Sequence, residues 1–449
     1  MTTITPIRLQ PGPGDCTGAL QAALDSPAPR HVLLAPGRHP CRGLRLHGGT
    51  VLELAEGAVL DFEPGYDLYA ANRVGVIAED SDRALIVAQD ADGIAIRGAG
   101  TIRAGGAAYH QGDDGDSGTL LPAGFRPRVL VAERCRDLEI TGIAVEDSPM
   151  WTLHLAGCDR VRIARLRVRN DRRMPNTDAL VLDACRDVTV EDCDLVTADD
   201  GIVLKTSAGL DGPLGACARI AVRRCRVESR SCALKLGTES HGDFRDIVFE
   251  DCIIAASNRG LGLFSRDGGA MERIRFSRIR VDCRETPHGF WGSGEALTVS
   301  VLDRRPGRPA GSVRDVTVED LSGRQEGAVN LVAGRPGQIE GLRLDRIDLE
   351  QLPGRLGTGQ CHDQRPGPAD LAPEEAAAVA GRKNAWRKDA SGRVIGLHPY
   401  PGGMPGLYAA RIRGLSLGQV AIRRPDPLPA GWSPSPVVLE ECEPGEAPQ

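Results

Sequence analysis

The sequence predicts a parallel β-helix, a solenoid in which each coil is made of three short strands. Three observations predict it. Units of similar pattern begin at Cys135, Cys158, Cys185, Cys217 and Phe244, spaced 23, 27, 32 and 27 residues apart. Each unit holds three short apolar runs, and three runs in a repeat of this length is the arithmetic of a β-helical coil. Composition agrees, because 55 glycines and 31 prolines with only 4% aromatic residues suit many short strands and tight turns. The third observation is a phrase that occurs twice, Asp178-Ala179-Leu180-Val181-Leu182 and Asp200-Gly201-Ile202-Val203-Leu204. Copies in successive repeats of a solenoid become stacked neighbours.

Taken in order, residues 14–29 read as a short helix that Asp15 or Thr17 can cap, with Leu20, Ala23 and Leu24 as its apolar face. Residues 1–30 are thus the cap that closes the exposed end of a solenoid. The stretches 31–39, 50–62 and 93–106 are strand-turn-strand phrases punctuated by Gly and Pro. Residues 108–124, polar and Gly-rich, read as a surface loop. The clear repeats follow from Arg126, and weaker copies continue at 271–283, 311–323, 339–352 and 408–422. Residues 353–407 break the pattern as an inserted excursion, with a helix expected over 369–386 and a Gly/Pro loop over 398–408. The Pro-rich tail, 423–449, reads as irregular. The whole chain, 1–449, is read as one β-helix domain.

The bulk numbers exclude several classes. Hydrophobic content of 41% with 26% charged residues describes an ordered chain, not a disordered one. A net charge of −6 and a pI near 5.9 give no footprint for nucleic acid or an anionic membrane. No window approaches 18 apolar residues, so no membrane-spanning segment is expected. The N-terminus, MTTITPIRLQPGPGD, lacks a basic segment followed by an apolar run. The expected location is therefore cytoplasmic, or periplasmic or secreted if a leader has been removed. Thirteen cysteines, an odd number, include Cys193, Cys225 and Cys252 inside strand-like runs. They read as reduced, buried small hydrophobes. No CxxC pair has zinc spacing, and neither a metal nor a cofactor is expected.

Stacking the third run of each repeat gives inward pairs Leu153/Leu155, Leu180/Leu182, Ile202/Leu204, Leu234/Leu236 and Leu261/Leu263. The residue two places before each pair forms one column, Trp151, Asp178, Asp200, Cys232 and Arg259. The residue between each pair forms an outward column, His154, Val181, Val203, Lys235 and Gly262, which alternation sends to solvent. Coils stack about 4.8 Å apart, so Asp178 and Asp200 are expected within several ångströms of each other, with Asp199 beside them. Clustered carboxylates suit two chemistries. In glycoside hydrolysis one carboxyl is the acid and another activates water, and like charges held close raise one pKa to supply that acid. The other is Ca²⁺ binding, as in sugar-acid lyases on similar coils.

The chain resembles glycoside hydrolase family 28, the polygalacturonase-like pectinases, through an ordered set of phrases. They are Gly100-Thr101-Ile102, Arg126-Pro127, SPMWTLH (148–154), NTD (176–178), ADDGIVLKTS (198–207) and GTESHGDFRDI (237–247). The resemblance covers roughly residues 90–300 and implies a right-handed, pectin-lyase-like β-helix and an inverting hydrolase. Carried over by motif, Asp199 is the general acid, Asp178 and Asp200 activate the water, and Asn176 helps shape the site. Two departures stand out. Ser231-Cys232-Ala233 replaces the family's Gly-His-Gly, so Cys232 stands where the His would be. Gly262-Leu263-Phe264 replaces the Arg-Ile-Lys whose cations hold a galacturonate carboxylate. Lys235, His241, Arg259 and Arg266 are the candidates to replace that clamp, with Lys235 first. The resulting expectation is exo-acting, inverting cleavage of an α-linked, uronic-acid-containing pectic oligosaccharide of galacturonan or rhamnogalacturonan type. The alternatives are a Ca²⁺-dependent lyase on the same fold and a non-catalytic carbohydrate-binding β-helix.

Overall fold

The computed structural model describes residues 5–79, 81–114, 118–209, 212–286, 291–304, 307–354, 361–365 and 396–445. The chain divides into two compact units. The first is Met1–Asp199 with Arg219–Cys225, and the second is Asp200–Ala218 with Arg226–Gln449.

In the first unit the repeats wind as three parallel ladders. One runs through Leu44–Leu46, Ser81–Gln89, Arg128–Glu133, Leu153–Ala156 and Leu180–Asp183. A second runs through Thr50–Leu54, Asp92–Gly98, Arg136–Thr141, Asp159–Ala164 and Arg186–Glu191. The third takes Gly37–Cys41, Ala58–Phe62, Thr101–Arg103, Ala144–Glu146, Arg167–Arg169 and Asp194–Thr197. Three strands per coil, all parallel, is the predicted β-helix. The helix Thr17–Leu24 buries Leu20, Ala23 and Leu24 as expected. Its N-cap residue is Cys16, and Asp15 Oδ1 accepts the Thr17 amide at 2.9 Å. Among the described residues no helix is long and apolar enough to cross a membrane.

The second unit continues the pattern with the strands Ile202–Thr206, Cys232–Ser240, Arg259–Ser265, Leu297–Val301, Val329–Ala333, Leu407–Ala410 and Val437–Glu440 in one parallel ladder. The two remaining runs are separate as Phe244–Glu250 and Ile253–Ser257, and in the later coils they fuse into single strands of 13 residues, Met271–Cys283, Val313–Gln325 and Ile339–Gln351. A left-handed residue bends each one midway, Arg278 (φ 54°), Asp320 (φ 54°) and Arg346 (φ 50°). Such residues recur at the corners of both units and carry paired charges. Arg160 is bidentate to Asp137, Arg219 to Asp187, Arg278 to Asp251 and Arg346 to Asp320. The planar guanidinium fork fits a carboxylate one coil away, which gives the preference for Arg over Lys a structural reason.

The inward register is as read from the sequence. Leu153 faces Leu180 and Leu155 faces Leu182 in the first unit, and Ile202, Leu234 and Leu261 align in the second. All of these leucines and Ile202 are buried. Four expectations are corrected. The outward column does not face solvent, because His154, Val181 and Val203 are fully buried. In the first unit the strand Arg73–Ala78 folds back antiparallel on Ser81–Gln89 and packs Val74 against Val87 and Val131. Residues 108–124 are not a simple loop but include a hairpin, His110–Asp114 with Thr119–Pro122, whose Leu120 packs with Tyr109 and Met174. The 398–408 stretch is packed rather than loose, with Tyr400, Met404 and Tyr408 in a cluster with Val332 and Trp432. The tail is not wholly irregular, since Val437–Glu440 adds a strand beside Leu407–Ala410. The helix expected over 369–386 lies outside the described residues.

All thirteen cysteines carry free thiols. Cys193, Cys225 and Cys252 are buried, as the strand pattern requires.

Candidate active site

In the first unit the site is built on hydroxyl and amide side chains at the ends of strands. Asn170 Nδ2 donates to Thr152 Oγ1 (2.9 Å) and to the Thr177 carbonyl (3.1 Å). Thr177 Oγ1 lies 3.2 Å from Thr197 Oγ1 and accepts the Ala198 amide at 3.2 Å. Thr197 Oγ1 also donates to the Thr177 carbonyl. The backbone that carries Asp199 is therefore tied to the residue that carries Asp178. The Asp178 carbonyl accepts the Thr152 amide at 2.8 Å, which fixes the next turn as well. Both carboxylates are shielded, Asp178 at 3% and Asp199 at 7% exposure.

Asn176 adopts a left-handed backbone, φ 58°, which Asn tolerates better than most residues. Its Oδ1 accepts from Arg126 Nη2 at 2.7 Å, while Arg126 Nη1 holds the carbonyls of Pro175 (2.6 Å) and Pro149 (2.9 Å). Arg126 thus buttresses the NTD turn, a role its place in the sequence motif did not disclose. Further along the same unit, His154 accepts from Arg128 Nη1 at 2.6 Å through Nδ1 and sits 3.3 Å from Asp183 through Nε2. Burial pulls its imidazole pKa down, so His154 is a neutral, enclosed group.

In the second unit Asp200 is held at both oxygens. Oδ1 accepts from Ser231 Oγ (2.9 Å) and from the Cys232 amide (3.3 Å), and Oδ2 accepts from Lys235 Nζ (2.6 Å). Cys232 contributes that backbone amide rather than its thiol. The thiol is 1% exposed, and burial together with the Asp200 charge pushes its pKa up. It therefore supplies no titrating group in the place of the family's His.

The clamp positions form a packing unit. A Cβ on Gly262 would meet Phe264 Cε2 at 2.5 Å and Cys232 Sγ at 2.8 Å, so the glycine leaves room for the Phe264 ring. That ring is 1% exposed and ringed by cations, with Arg259 Cζ at 5.0 Å, Arg266 Cζ at 5.6 Å and Lys235 Nζ at 5.7 Å from its centroid.

The other clamp candidates are committed to the protein. Arg259 pairs with Asp363 (3.1 Å) and Glu295 (3.5 Å), and its Nη2 also donates to the Asp363 carbonyl. Arg266 is fully buried and donates to the Ser265 and Ser300 carbonyls and to Ser300 Oγ. Burial, then the nearby Arg304 and Arg259 charges, bring its pKa down to about 9. His241 has Arg308 at 2.6 Å on Nδ1 and Asp267 at 3.6 Å on Nε2.

The excursion covers the outward face of these strands. Cys361–Asp363 pairs antiparallel with Leu397–Pro399. Tyr400 donates to Asn330 Oδ1 at 2.8 Å, and His362 packs against Tyr400 and Tyr408. Asp363 takes both Arg365 and Arg259, and its Oδ2 accepts the Gly292 amide at 2.6 Å. Sequence reading placed none of Asp363, Arg365 or Glu295 near this site, and it noted Ser231 only as part of the stretch that replaces Gly-His-Gly. Glu295 and Asp363 meet Arg259 from 36 and 104 residues away, and no short motif joins them to it. Among the described residues no group of three or more His, Cys, Asp or Glu side chains is arranged to hold a metal ion.

Fold and carboxylate-bearing stretch together define the class, a parallel β-helix of polygalacturonase-like architecture. Residues 67–282, the segment that carries Asn176, Asp178, Asp199 and Asp200, match the family model of the glycosyl hydrolases family 28. A probable polygalacturonase of Arabidopsis thaliana is 31% identical over 121 residues, 27% of this chain and 24% of that protein. The chain thus aligns with about a quarter of that relative's length. An exopolygalacturonase from Thermotoga maritima superposes with a TM-score of 0.60 at 20% identity, over 77% of this chain and 89% of that one. A polygalacturonase from Erwinia carotovora gives a TM-score of 0.62 at 16% identity, over 77% and 93%. At these identities the structural likeness is one of fold.

Proposed function

We propose that the protein hydrolyses α-linked, uronic-acid-containing pectic oligosaccharides with inversion, Asp199 acting as general acid and Asp178 with Asp200 activating water. One observation carries the reading. The Ala198 amide bonds Thr177 Oγ1 at 3.2 Å, which ties the strand end bearing Asp199 to the turn bearing Asp178, and Asp200 follows directly in the chain. An inverting mechanism needs one carboxyl as acid and a second placed to activate a water, and the tether holds two such carboxyl-bearing turns to each other. In the reaction Asp199 protonates the departing glycosidic oxygen. The paired carboxylates take a proton from water as it attacks the anomeric carbon from the opposite face.

Exo action fits the covers. Each unit carries extra chain outside its coils, Arg73–Ala78 against Ser81–Gln89 in the first and the hairpin Cys361–Asp363 with Leu397–Pro399 in the second. Such additions narrow the room for a long polymer. The family match over residues 67–282 supports the chemistry, and these additions support short substrates taken from an end. The test is a digest of polygalacturonate followed by both viscosity and reducing ends. Monomer or dimer release with slow loss of viscosity is expected, and rapid loss of viscosity would refute exo action.

A further inference from the structure

We propose that Phe125, backed by Tyr66, is a stacking platform for a pyranose ring of the substrate, which extends the site beyond its carboxylates. The proposal rests on the carbohydrate reading above, and its observations all lie in the first unit.

Phe125 is 61% exposed, the only aromatic among the exposed large hydrophobic side chains of the described residues. It is nonetheless fixed. Its ring stacks on Tyr66 with centroids 5.5 Å apart and planes 29° apart. Arg83 lies over Tyr66, its Cζ 4.3 Å from the ring centroid, and its Nη1 donates to the Tyr66 carbonyl at 3.0 Å and to Asp67 at 2.9 Å. The Tyr66 hydroxyl donates to Asp82 Oδ1 at 2.7 Å. An exposed phenyl ring set on a bonded stack of this kind is pre-organised for a partner, since its position needs little further ordering on binding.

The place of the ring selects the partner. The next residue in the chain is Arg126, buried, whose guanidinium grips Asn176 Oδ1 and the Pro175 carbonyl at the start of the turn that carries Asp178. The platform and the acid turn therefore share one anchor. A pyranose presents C–H groups on its faces and hydroxyls around its edge. It covers an aromatic ring well and keeps its polar rim in water. A sugar unit some residues along the chain from the cleavage point is the occupant this continuity favours.

The test uses tetragalacturonic and digalacturonic acids with the full chain, comparing wild type, Phe125→Ala and Phe125→Trp. The exposed ring bears no packing that the fold depends on, so the variants fold. Expected for Phe125→Ala is a KM on the tetramer raised about tenfold, the effect of losing one stacked ring, with kcat and the dimer kinetics unchanged and Phe125→Trp restoring the tetramer KM. Calorimetry of the tetramer with wild type and with Phe125→Ala, each also carrying Asp199→Asn, gives the same loss without turnover. Identical KM and binding in Phe125→Ala, with hydrolysis intact, overturns the platform and leaves the hydrolase reading standing. Binding that Phe125→Ala weakens, with no cleavage by wild type, overturns the hydrolase reading and leaves the platform standing. A fall in kcat equal on both lengths overturns the platform, since it would mean a disturbed Asn176 turn. Neither binding nor cleavage overturns both.

Discussion

Lys235 Nζ sits 2.6 Å from Asp200 Oδ2, while Ser231 and the Cys232 amide hold Oδ1. Lys235 was the first candidate to replace the missing uronate clamp, and in the structure its ammonium is paired with this carboxylate. We propose that it positions Asp200 rather than holding substrate. Lys235→Met is expected to lower kcat at least about tenfold on charged and neutral substrates alike, because the loss of a charge-assisted bond leaves Asp200 mispositioned. Lys235→Arg should retain most activity. A rise in KM confined to uronate substrates would instead restore Lys235 to the clamp.

Asp363 fastens the excursion to the second unit. Burial by itself would raise its pKa, but Arg365 and Arg259 hold the carboxyl well below the usual carboxylate range. A lowered folded pKa means that the stabilisation is complete above the unfolded value near 3.9 and is lost as pH falls toward the folded value. Protection against hydrogen exchange in the Cys361–Asp363 and Leu397–Pro399 hairpin, corrected for the intrinsic rate at each pH, should therefore fall on acidification below about pH 4. Asp363→Ala leaves Arg259 and Arg365 short of a partner and should cost about 3–5 kcal/mol. It should also abolish that pH dependence. An unchanged pH profile in the variant would contradict the assignment.

The cysteines offer a count. Titration in denaturant without reductant is expected to find thirteen thiols. In the native protein only Cys16, Cys361 and Cys442, the three that are not fully buried, should react quickly. A count well below thirteen would show disulfides.

The repeat was legible because each coil restates its inward leucines, so Leu153, Leu180, Leu234 and Leu261 could be aligned by pattern alone. The carboxylate-bearing turns stood out because NTD and ADD are short motifs. What lay over the outward column was not. Val181 and Val203 alternate with leucines, and on an uncovered coil they would face water. Both are fully buried, and alternation along one strand says nothing of what packs over it. Arg259 and Arg266 were open as clamp candidates for the same reason, since Asp363 lies 104 residues beyond Arg259 and Ser300 lies 34 beyond Arg266. Phe264, in the stretch that replaces Arg-Ile-Lys, is enclosed by three cations, while Phe125 is the exposed ring among the large hydrophobic side chains of the described residues.

Asp199→Asn removes the proposed proton donor and little else. The amide is isosteric, and the Thr177–Ala198 tether does not involve the side chain. Turnover is expected to fall by about 10²–10⁴ with an unchanged melting temperature. Near-normal turnover would remove Asp199 from the acid's role.

Inversion at the anomeric carbon is read directly by proton NMR during the first minutes of oligogalacturonate cleavage, before the product mutarotates. The β-anomer is expected to appear first from the α-linked substrate. The α-anomer appearing first would contradict inversion, and an unsaturated product would show elimination in place of hydrolysis.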